Sequence, residues 1–467
     1  MKNILIILII MGLSGCGSLL KTPYQRPELT LPTAWQSRNT GTEWLNNSDQ
    51  WWRIFNDPQL SQMISDVLVS NNDLAIAGIR LRQALLDVGL SNTNLTPDVS
   101  VNGEATNSKN TRRNTGASEN YNTSISLSYE LDLWGKLART REQSQWQANA
   151  SALDRQNTAL MLLGTTGQFY WQIASLNQKI GNSEKSLGIA QETQRITLSG
   201  FEAGAIGQLD VIQARQSVLD QQNALQDLIQ QREEARNSLA ILFNRPPSQR
   251  APERVGLDPS QTISITPDLP LSVIGRRPDV QSAEWQLRAA LAATDAARLD
   301  FYPSLSLGAS LGAGSAVFSE WFSNPVRTLS STVALPFIQW NTVQLTVERS
   351  NLDVQQAAAT FRSKVYSALA DVEKALSQRE VYQMQRTNTL ASLRLSQQRL
   401  VLAKSQYLAG AVSLQTWLDA QNAMLSTENQ LADIQSGYLS TTLQLWLALG
   451  GEVIPESRME KSVSQKI

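Results

Sequence analysis

The sequence has no histidine, a single cysteine and no apolar run long enough to cross a bilayer. Without imidazole, Ser-His-Asp and Cys-His catalysis are excluded, with most zinc and haem sites. One cysteine allows no internal disulfide and no cysteine-rich metal site. Neither sign of charge dominates: 40 Lys+Arg stand against 41 Asp+Glu, for a net charge of −1. A nucleic-acid partner would need a basic surface, which this balance does not supply. Seven methionines are scattered along the chain, so no metal relay is visible and no cofactor is expected. What remains is a carboxylate- or Lys-based enzyme, or a protein that does no covalent chemistry. A chain of 467 residues is ample for a folded core.

The first residues read as an address. Lys2 is followed by an apolar run from Ile4 to Leu13, far short of the ~20 residues a spanning helix needs. It ends in Leu13-Ser14-Gly15-Cys16, which resembles the lipobox of bacterial lipoproteins. That resemblance implies cleavage after residue 15 and lipidation of Cys16. Several acyl chains at ~0.8 kcal/mol per buried CH₂ make a stable anchor. Gly17 stands where inner-membrane lipoproteins typically carry Asp, which favours the outer membrane.

Shifted by 206 positions, the sequence aligns with itself without a gap. Asp73 falls on Asp279, Pro97 on Pro303, Trp134 on Trp340, and Ala203-Gly204-Ala205 on Ala409-Gly410-Ala411. A repeat of this length is a duplicated domain-sized element, not a solenoid. Between the copies, Asn244–Pro270 holds six of the sixteen prolines and reads as an extended linker. The expected organisation is a leader over 1–15, then an anchor and irregular segment over 16–58. The first repeat follows over 59–243, the linker over 244–270, the second repeat over 271–450 and a tail over 451–467.

Each copy carries two strands and long helices. Ser124–Leu133 alternates strictly, with Ile125, Leu127, Tyr129, Leu131 and Leu133 on one face. Ser304–Gly312 does the same, and Asp98–Thr106 and Arg327–Phe337 follow more loosely. Period two marks strands with one apolar face. Their length suits tilted transmembrane strands, and the polar face is Ser, Gly and acid rather than Lys and Arg. Four strands cannot close a barrel, which needs ~8 at least, and an open edge is forbidden in lipid. Either the strands lie outside a membrane or several chains share one barrel.

Leu137–Leu198 has no proline and reads as one continuous helix. From Val211 the seam steps by three and four through Ala214, Val218, Gln221, Leu225 and Leu228 to Leu242, and its copy runs from Trp417 to Ala448. That period predicts coiled-coil packing. Gly164, Gly167 and Gly181, with Trp171, point to close helix contacts. Gln208–Phe243 and Leu271–Leu299 read as two helices stacked end to end beside the unbroken one. Residues 17–58 read as irregular.

These residues resemble the TolC-like outer membrane efflux factors, in the lipidated branch that serves resistance-nodulation-division and related pumps. The marks are Pro23-Tyr24-Gln25-Arg26-Pro27, Trp51-Trp52-Arg53-Ile54-Phe55-Asn56-Asp57-Pro58-Gln59-Leu60, Asn72-Asp73-Leu74, Arg276-Arg277-Pro278-Asp279-Val280, Phe301-Tyr302-Pro303-Ser304 and Leu418-Asp419-Ala420-Gln421. The resemblance covers nearly the whole chain. It implies a mainly α fold with a β-barrel part: long coiled-coil helices forming an α-barrel tunnel, with four transmembrane β-strands per chain. A homotrimer would close a twelve-stranded barrel in outer membrane lipid, with the tunnel extending into the periplasm. Asn107–Asn120 and Ser315–Val326 would be the outer loops.

Function would then be passive: an exit duct that a periplasmic adapter and an inner-membrane pump dock onto. The adapter would meet the helix tips at Ala203, Gly204, Ala205, Ala409, Gly410 and Ala411. Asp419 matches the family's acidic ring at the periplasmic aperture, where three copies would attract cations. Asn422 stands where relatives can carry Arg, and Gln415 where Leu is common, which puts a salt-bridge lock and an apolar constriction there in doubt. Other readings are a type I protein-secretion conduit of the same fold, a copper exporter, a structural trimeric coiled-coil lipoprotein, and a periplasmic carboxylate enzyme. The strict duplication argues against the structural lipoprotein, and the absence of a paired-acid cluster against the enzyme.

Overall fold

The structure, a computed structural model, describes residues 20–32, 35, 51–109, 112, 116–263 and 271–451. The leader, Cys16, the end of the linker and the tail beyond 451 lie outside the described residues. The elements are α1 (Pro58–Ser70), α2 (Asn72–Thr93), β1 (Asp98–Ser108), β2 (Ser118–Leu131), α3 (Lys136–Glu202) and α4 (Gln208–Leu242). Then come α5 (Pro278–Leu299), β3 (Ser304–Ser315), β4 (Pro325–Ala334), α6 (Trp340–Leu408) and α7 (Leu414–Ala448). The duplication reappears in the backbone. Asn72–Thr93 and Pro278–Leu299 lie 206 positions apart, as do Gln208–Leu242 and Leu414–Ala448. So do the left-handed residues Gly204 and Gly410, both at φ +71.

The chain folds as two compact units. The sheet unit joins the segment ending at Leu29 to Gly78–Asp154 and Asp279–Lys364. Its four strands form one antiparallel sheet in the order β1-β2-β3-β4. Strand register sorts the side chains by face. Val99, Leu127, Ala309 and Leu329 lie in one row across the sheet, and Val101, Ile125, Leu311 and Arg327 in the next. The other face carries Ser100, Ser126, Ser310 and Thr328 in a row, flanked by Asp98, Ser128, Gly308 and Ser330. The hydroxyls of Ser100 and Ser126 lie 2.7 Å apart across the first pair. The apolar face is open: Val101 and Leu329 are 69% and 74% exposed.

Aromatic residues mark both ends of the sheet. Tyr121, Phe318 and Trp321 cluster at one end, with ring centroids 5.2 to 5.7 Å apart. At the other, Trp134 and Tyr302 are 5.3 Å apart, and the Trp134 indole donates to the Pro303 carbonyl at 2.7 Å. Amphipathic rings at two levels are what a membrane-crossing sheet places at its two interfaces. Toward the Tyr121 end the strands run further than alternation predicts, whereas β2 stops at Leu131 and β4 at Ala334, short of the expected Leu133 and Phe337, where Pro336–Ile338 forms a 3-10 turn. β1 reaches Ser108 and β2 starts at Ser118, so the connection is shorter than Asn107–Asn120. β3 reaches Ser315, β4 covers Pro325–Ala334 and Phe318–Glu320 forms a 3-10 turn, where a loop was expected.

The N-terminal segment is fastened to this unit. Asp295, 3% exposed, accepts from the Thr22 amide at 2.9 Å and the Thr22 hydroxyl at 2.6 Å. The Arg288 guanidinium lies 4.3 Å from the Tyr24 ring and 4.8 Å from the Trp285 ring, which stacks on Trp146. This stretch is irregular, as expected, and is held as a strap by these contacts.

The helical unit joins Thr30–Ala77, Arg155–Pro278 and the chain from Val365. The irregular reading of residues 17–58 fails only at its end: Trp51–Phe55 is a 3-10 turn and α1 begins at Pro58. The Asp57 carboxylate caps α1, accepting from the Gln59 and Leu60 amides at 3.1 Å each. Proline at the first helical position lacks an amide that would need a partner. The helix buries Leu60, Met63, Ile64 and Val67, one face of a 3.6-residue period. Phe55 meets Trp171 at 4.8 Å in a large core shared with Leu163, Leu239, Tyr438 and Leu443. Gly167 makes room there: a Cβ would lie 2.3 Å from Leu443 Cδ2. Gly164 similarly faces Leu447 at 2.6 Å, but Gly181 faces nothing within 4 Å, against expectation.

The linker crosses both hairpins of this unit. Glu253 takes a bidentate pair from Arg236 at 2.7 Å, and Arg254 reaches Asp57 at 3.1 Å. Ile263 is held by the Tyr438 hydroxyl and by Arg379. Leu271–Leu299 is not one helix, because Leu271–Arg276 is a 3-10 turn and α5 starts only at Pro278. A residue before proline is pushed out of the α region, which breaks the run there.

Candidate functional site

Apart from Cys16, which is outside the described residues, the expected site residues lie at one end of the helical unit, where the hairpins α3–α4 and α6–α7 turn back. Both turns have the same geometry. The Ala205 amide donates to the Gly200 carbonyl at 2.8 Å and the Gly204 amide to the Phe201 carbonyl at 2.9 Å. At the second tip Ala411 donates to Gln406 and Gly410 to Tyr407, both at 2.9 Å. This bonding satisfies the last carbonyls of a helix and requires a left-handed residue, which glycine supplies. Ala203, Gly204, Ala205, Ala409, Gly410 and Ala411 are all exposed. Each tip thus presents small side chains on a fixed backbone.

A compact cluster holds the tips together. Trp417, 2% exposed, packs with Ala214, Ala403, Leu414, Leu418 and Ala420. Its ring centroid is 5.2 Å from that of Tyr407, and Lys404 Nζ lies 5.9 Å from it. Burial pushes the Tyr407 phenol above its ordinary value; Asp210 pushes the same way and Thr197 opposes.

Gln415, Asp419 and Asn422 share the exposed stripe of α7, followed by Ser426, Gln430 and Asp433. Steps of three and four place them on one face. The structure joins Gln415 to Asp419, with amide to carboxylate at 2.7 Å. Asn422 is engaged elsewhere, accepting from the Gln221 amide of α4 at 3.2 Å. The stripe is thus a row of exposed amides and carboxylates, with Asn422 and Asp433 bonded to neighbouring helices. Asp210, in the other hairpin, is half-buried rather than exposed.

Sequence reading missed the contacts behind this stripe. Gln421 donates to the Thr193 hydroxyl at 2.9 Å, Asn182 to Asn429 at 3.3 Å, and Lys179 to Asp433 at 3.0 Å. Their signal was present in the three-four spacing of Ser183, Ser186, Ala190, Thr193 and Thr197, which an apolar-seam search passes over. Among the described residues no group of three His, Cys, Asp or Glu could hold a metal ion. No described helix is long and apolar enough to cross a membrane.

The family described as outer membrane efflux protein matches residues 63–245 and 269–451. The pyoverdine export outer membrane protein OpmQ of Pseudomonas putida is 29% identical over 430 residues, 90% of this chain and 92% of that protein. The outer membrane channel CmeC of Campylobacter jejuni superposes with a TM-score of 0.84 at 22% identity, covering 96% of this chain and 98% of that one. The open state of the Neisseria gonorrhoeae MtrE outer membrane channel gives 0.80 at 25% identity, covering 93% and 98%.

Proposed function

The chain belongs to the outer membrane efflux protein family, and from that membership we propose a specific working assembly. It is an exit duct for efflux across the outer membrane. Three copies close one twelve-stranded barrel, and their hairpins continue it as a tunnel into the periplasm. The observation that carries this is the sheet: one face is apolar and open, the other polar, and β1 and β4 each keep an unpaired edge within the chain. Such a sheet satisfies its backbone in lipid only when neighbouring copies pair edge to edge. The polar face then lines the lumen with Ser, Thr, Asn and Gly and with the acids Asp98, Glu104 and Glu130, a hydrophilic wall for drugs and other small molecules.

Conduction is passive, with no bond made or broken. The glycine tips supply the surface for a periplasmic adapter, and through it an inner-membrane pump drives transport. Gln415, Asp419 and Asn422 face the axis at the periplasmic aperture, where three Asp419 carboxylates gather cations. Cys16 carries acyl chains that hold the N-terminus in the outer membrane, supported by the lipobox before it and the strap from Thr22 behind it.

The test is detergent-extracted protein in a planar bilayer, with mass spectrometry of the N-terminal peptide. Stepwise conductance from trimer-sized fractions and an acylated Cys16 are expected. Trimers that never conduct overturn the duct; an unmodified Cys16 overturns the anchor alone.

A further inference from the structure

Strands that face lipid keep charge off that face, and β4 departs from the rule. Arg327 is exposed and stands on the apolar face, in the row of Val101, Ile125 and Leu311. The acids of the sheet are placed elsewhere. Asp98, Glu104 and Glu130 fall on the polar face. Glu119 shares the apolar face but lies beyond Tyr121, where it accepts from Asn107 and from the Tyr121 hydroxyl. Among the described residues no ion pair involves Arg327, and Glu320 in the preceding turn is not joined to it. A neighbouring copy supplies no counter-charge either. In the proposed trimer β4 lies beside a neighbour's β1, whose apolar face holds Val99, Val101, Gly103, Ala105 and Asn107. The anion that balances Arg327 must therefore come from outside the protein.

The turn before Arg327 fixes its surroundings. Tyr121 shares the face of Ile125 and Leu127, and the Phe318 and Trp321 rings meet it at 5.4 and 5.2 Å. The β3–β4 turn thus leans over the apolar side of the sheet. Phe322 stacks on Trp321 at 5.6 Å, yet Phe318 and Phe322 stay 65% and 71% exposed. Arg327 comes two residues after Pro325, the start of β4, about 7 Å along the strand. An arginine at that depth lays its stem on apolar surface and lifts its guanidinium to the interface. The anion abundant there is lipid phosphate, which a guanidinium holds through two parallel hydrogen bonds. A phosphate monoester, with a charge of about −1.5 to −2, suits it better than the diester of a zwitterionic lipid, whose own cation competes.

We propose that Arg327, with the exposed rings of Phe318 and Phe322, forms a lipid site on the outer rim of the sheet. Its ligand is a phosphorylated glycolipid of the outer leaflet: the phosphate sits on the guanidinium, and the apolar part lies against the rings. Each copy carries one such site, so a trimer carries three. The inference rests on the exit-duct reading, which turns this end of the sheet outward.

The test is native mass spectrometry of trimers taken from micelles doped with bis-phosphorylated lipid A or with its phosphate-free form. The unaltered protein should retain the phosphorylated lipid, and Arg327→Gln should lose about tenfold in retention as a charge-assisted contact goes. Arg327→Lys should keep most of it. Equal retention by Arg327→Gln, or equal retention of the phosphate-free lipid, overturns the site. Displacement of lipid A by inorganic phosphate overturns the choice of a lipid ligand. A second measurement does not depend on trimers surviving the spectrometer: urea unfolding of Arg327→Leu in phosphatidylcholine vesicles with and without lipid A. Leucine should raise the midpoint without lipid A, by removing a lone charge from lipid, and lower it with lipid A. A shift of the same sign in both vesicles overturns the proposal. Protein that neither trimerises nor conducts sinks the exit-duct reading and the lipid site together, whereas conducting trimers indifferent to lipid phosphate sink the lipid site alone.

Discussion

Gln415 and Asp419 sit one turn apart on α7, the amide of one donating to the carboxylate of the other at 2.7 Å. The pair engages one carboxylate oxygen of Asp419, and the residue stays exposed. In the proposed trimer its carboxylate is the cation ligand. Asp419→Ala should therefore weaken block by multivalent cations and, by shortening the side chain, enlarge the single-channel step. Gln415→Ala should keep the block and change the step less. Current traces with increasing multivalent cation on the periplasmic side check both; block of undiminished strength in Asp419→Ala would remove Asp419 from the aperture.

The two faces of the sheet predict opposite tolerance to charge. Leu329→Arg places a cation on the apolar face, opposite Ala309 in mid-strand, and should destabilise the folded barrel by about 2–4 kcal/mol. Thr328→Arg, one residue earlier on the other face, should cost far less, because that side chain meets water. Urea titration of the protein folded into lipid vesicles measures the difference. Equal costs would mean that the apolar face does not meet lipid.

Gly204 and Gly410 test the tips. A Cβ at either position would meet nothing within 4 Å, so any cost comes from φ +71 alone. Gly204→Ala and Gly410→Ala should each lose about 1–2 kcal/mol and should not be rescued by trimming neighbours. The paired measurement is thermal unfolding of each variant beside Gly188→Ala, a helical glycine in open space, where alanine should stabilise slightly.

Glu428 gives a pH dependence with a definite sign. Burial raises its carboxyl above the ordinary value of 4.5, and Lys185 opposes the shift. A raised acid binds its proton more tightly when folded. Its contribution is therefore present at low pH and is lost as pH climbs through 4.5 and past the folded value. Glu428→Gln should melt higher than the unaltered protein at pH 7, and the gain should vanish on acidification below 4.5. A gain independent of pH would assign the effect to packing.

Much of this was legible in the residues, and the misses have physical causes. The alternation from Ile125 to Leu131 exposed β2, but its first residues, Ser118, Glu119 and Asn120, are polar on both faces and broke the pattern. They lie level with the Tyr121 cluster, where strands leave the apolar band and need no alternation. Asp57-Pro58 is a plain helix start that the irregular reading of that segment overlooked. The coiled-coil seam from Val211 is buried at Val211, Ala214, Val218 and Gln221, loosens at Leu225 and Leu228, and closes again at Ala235 and Leu239. Period alone could not show that slack, because it counts positions and not what they face. The aperture residues came from family resemblance; that Asn422 would bond Gln221 rather than Asp419 needed coordinates.

The order β1-β2-β3-β4 has a genetic consequence. Each chain offers two different edges, and the proposed trimer closes only if every β4 finds a neighbour's β1. A chain spoiled at one edge still docks through the other. It would enter mixed rings and leave them gaping, so an allele damaged only in β4 should act as a dominant poison when expressed beside the intact gene. An allele that loses both edges should be silently recessive, for it could never join a ring. The sheet thereby makes half-broken copies more harmful to the cell than wholly broken ones.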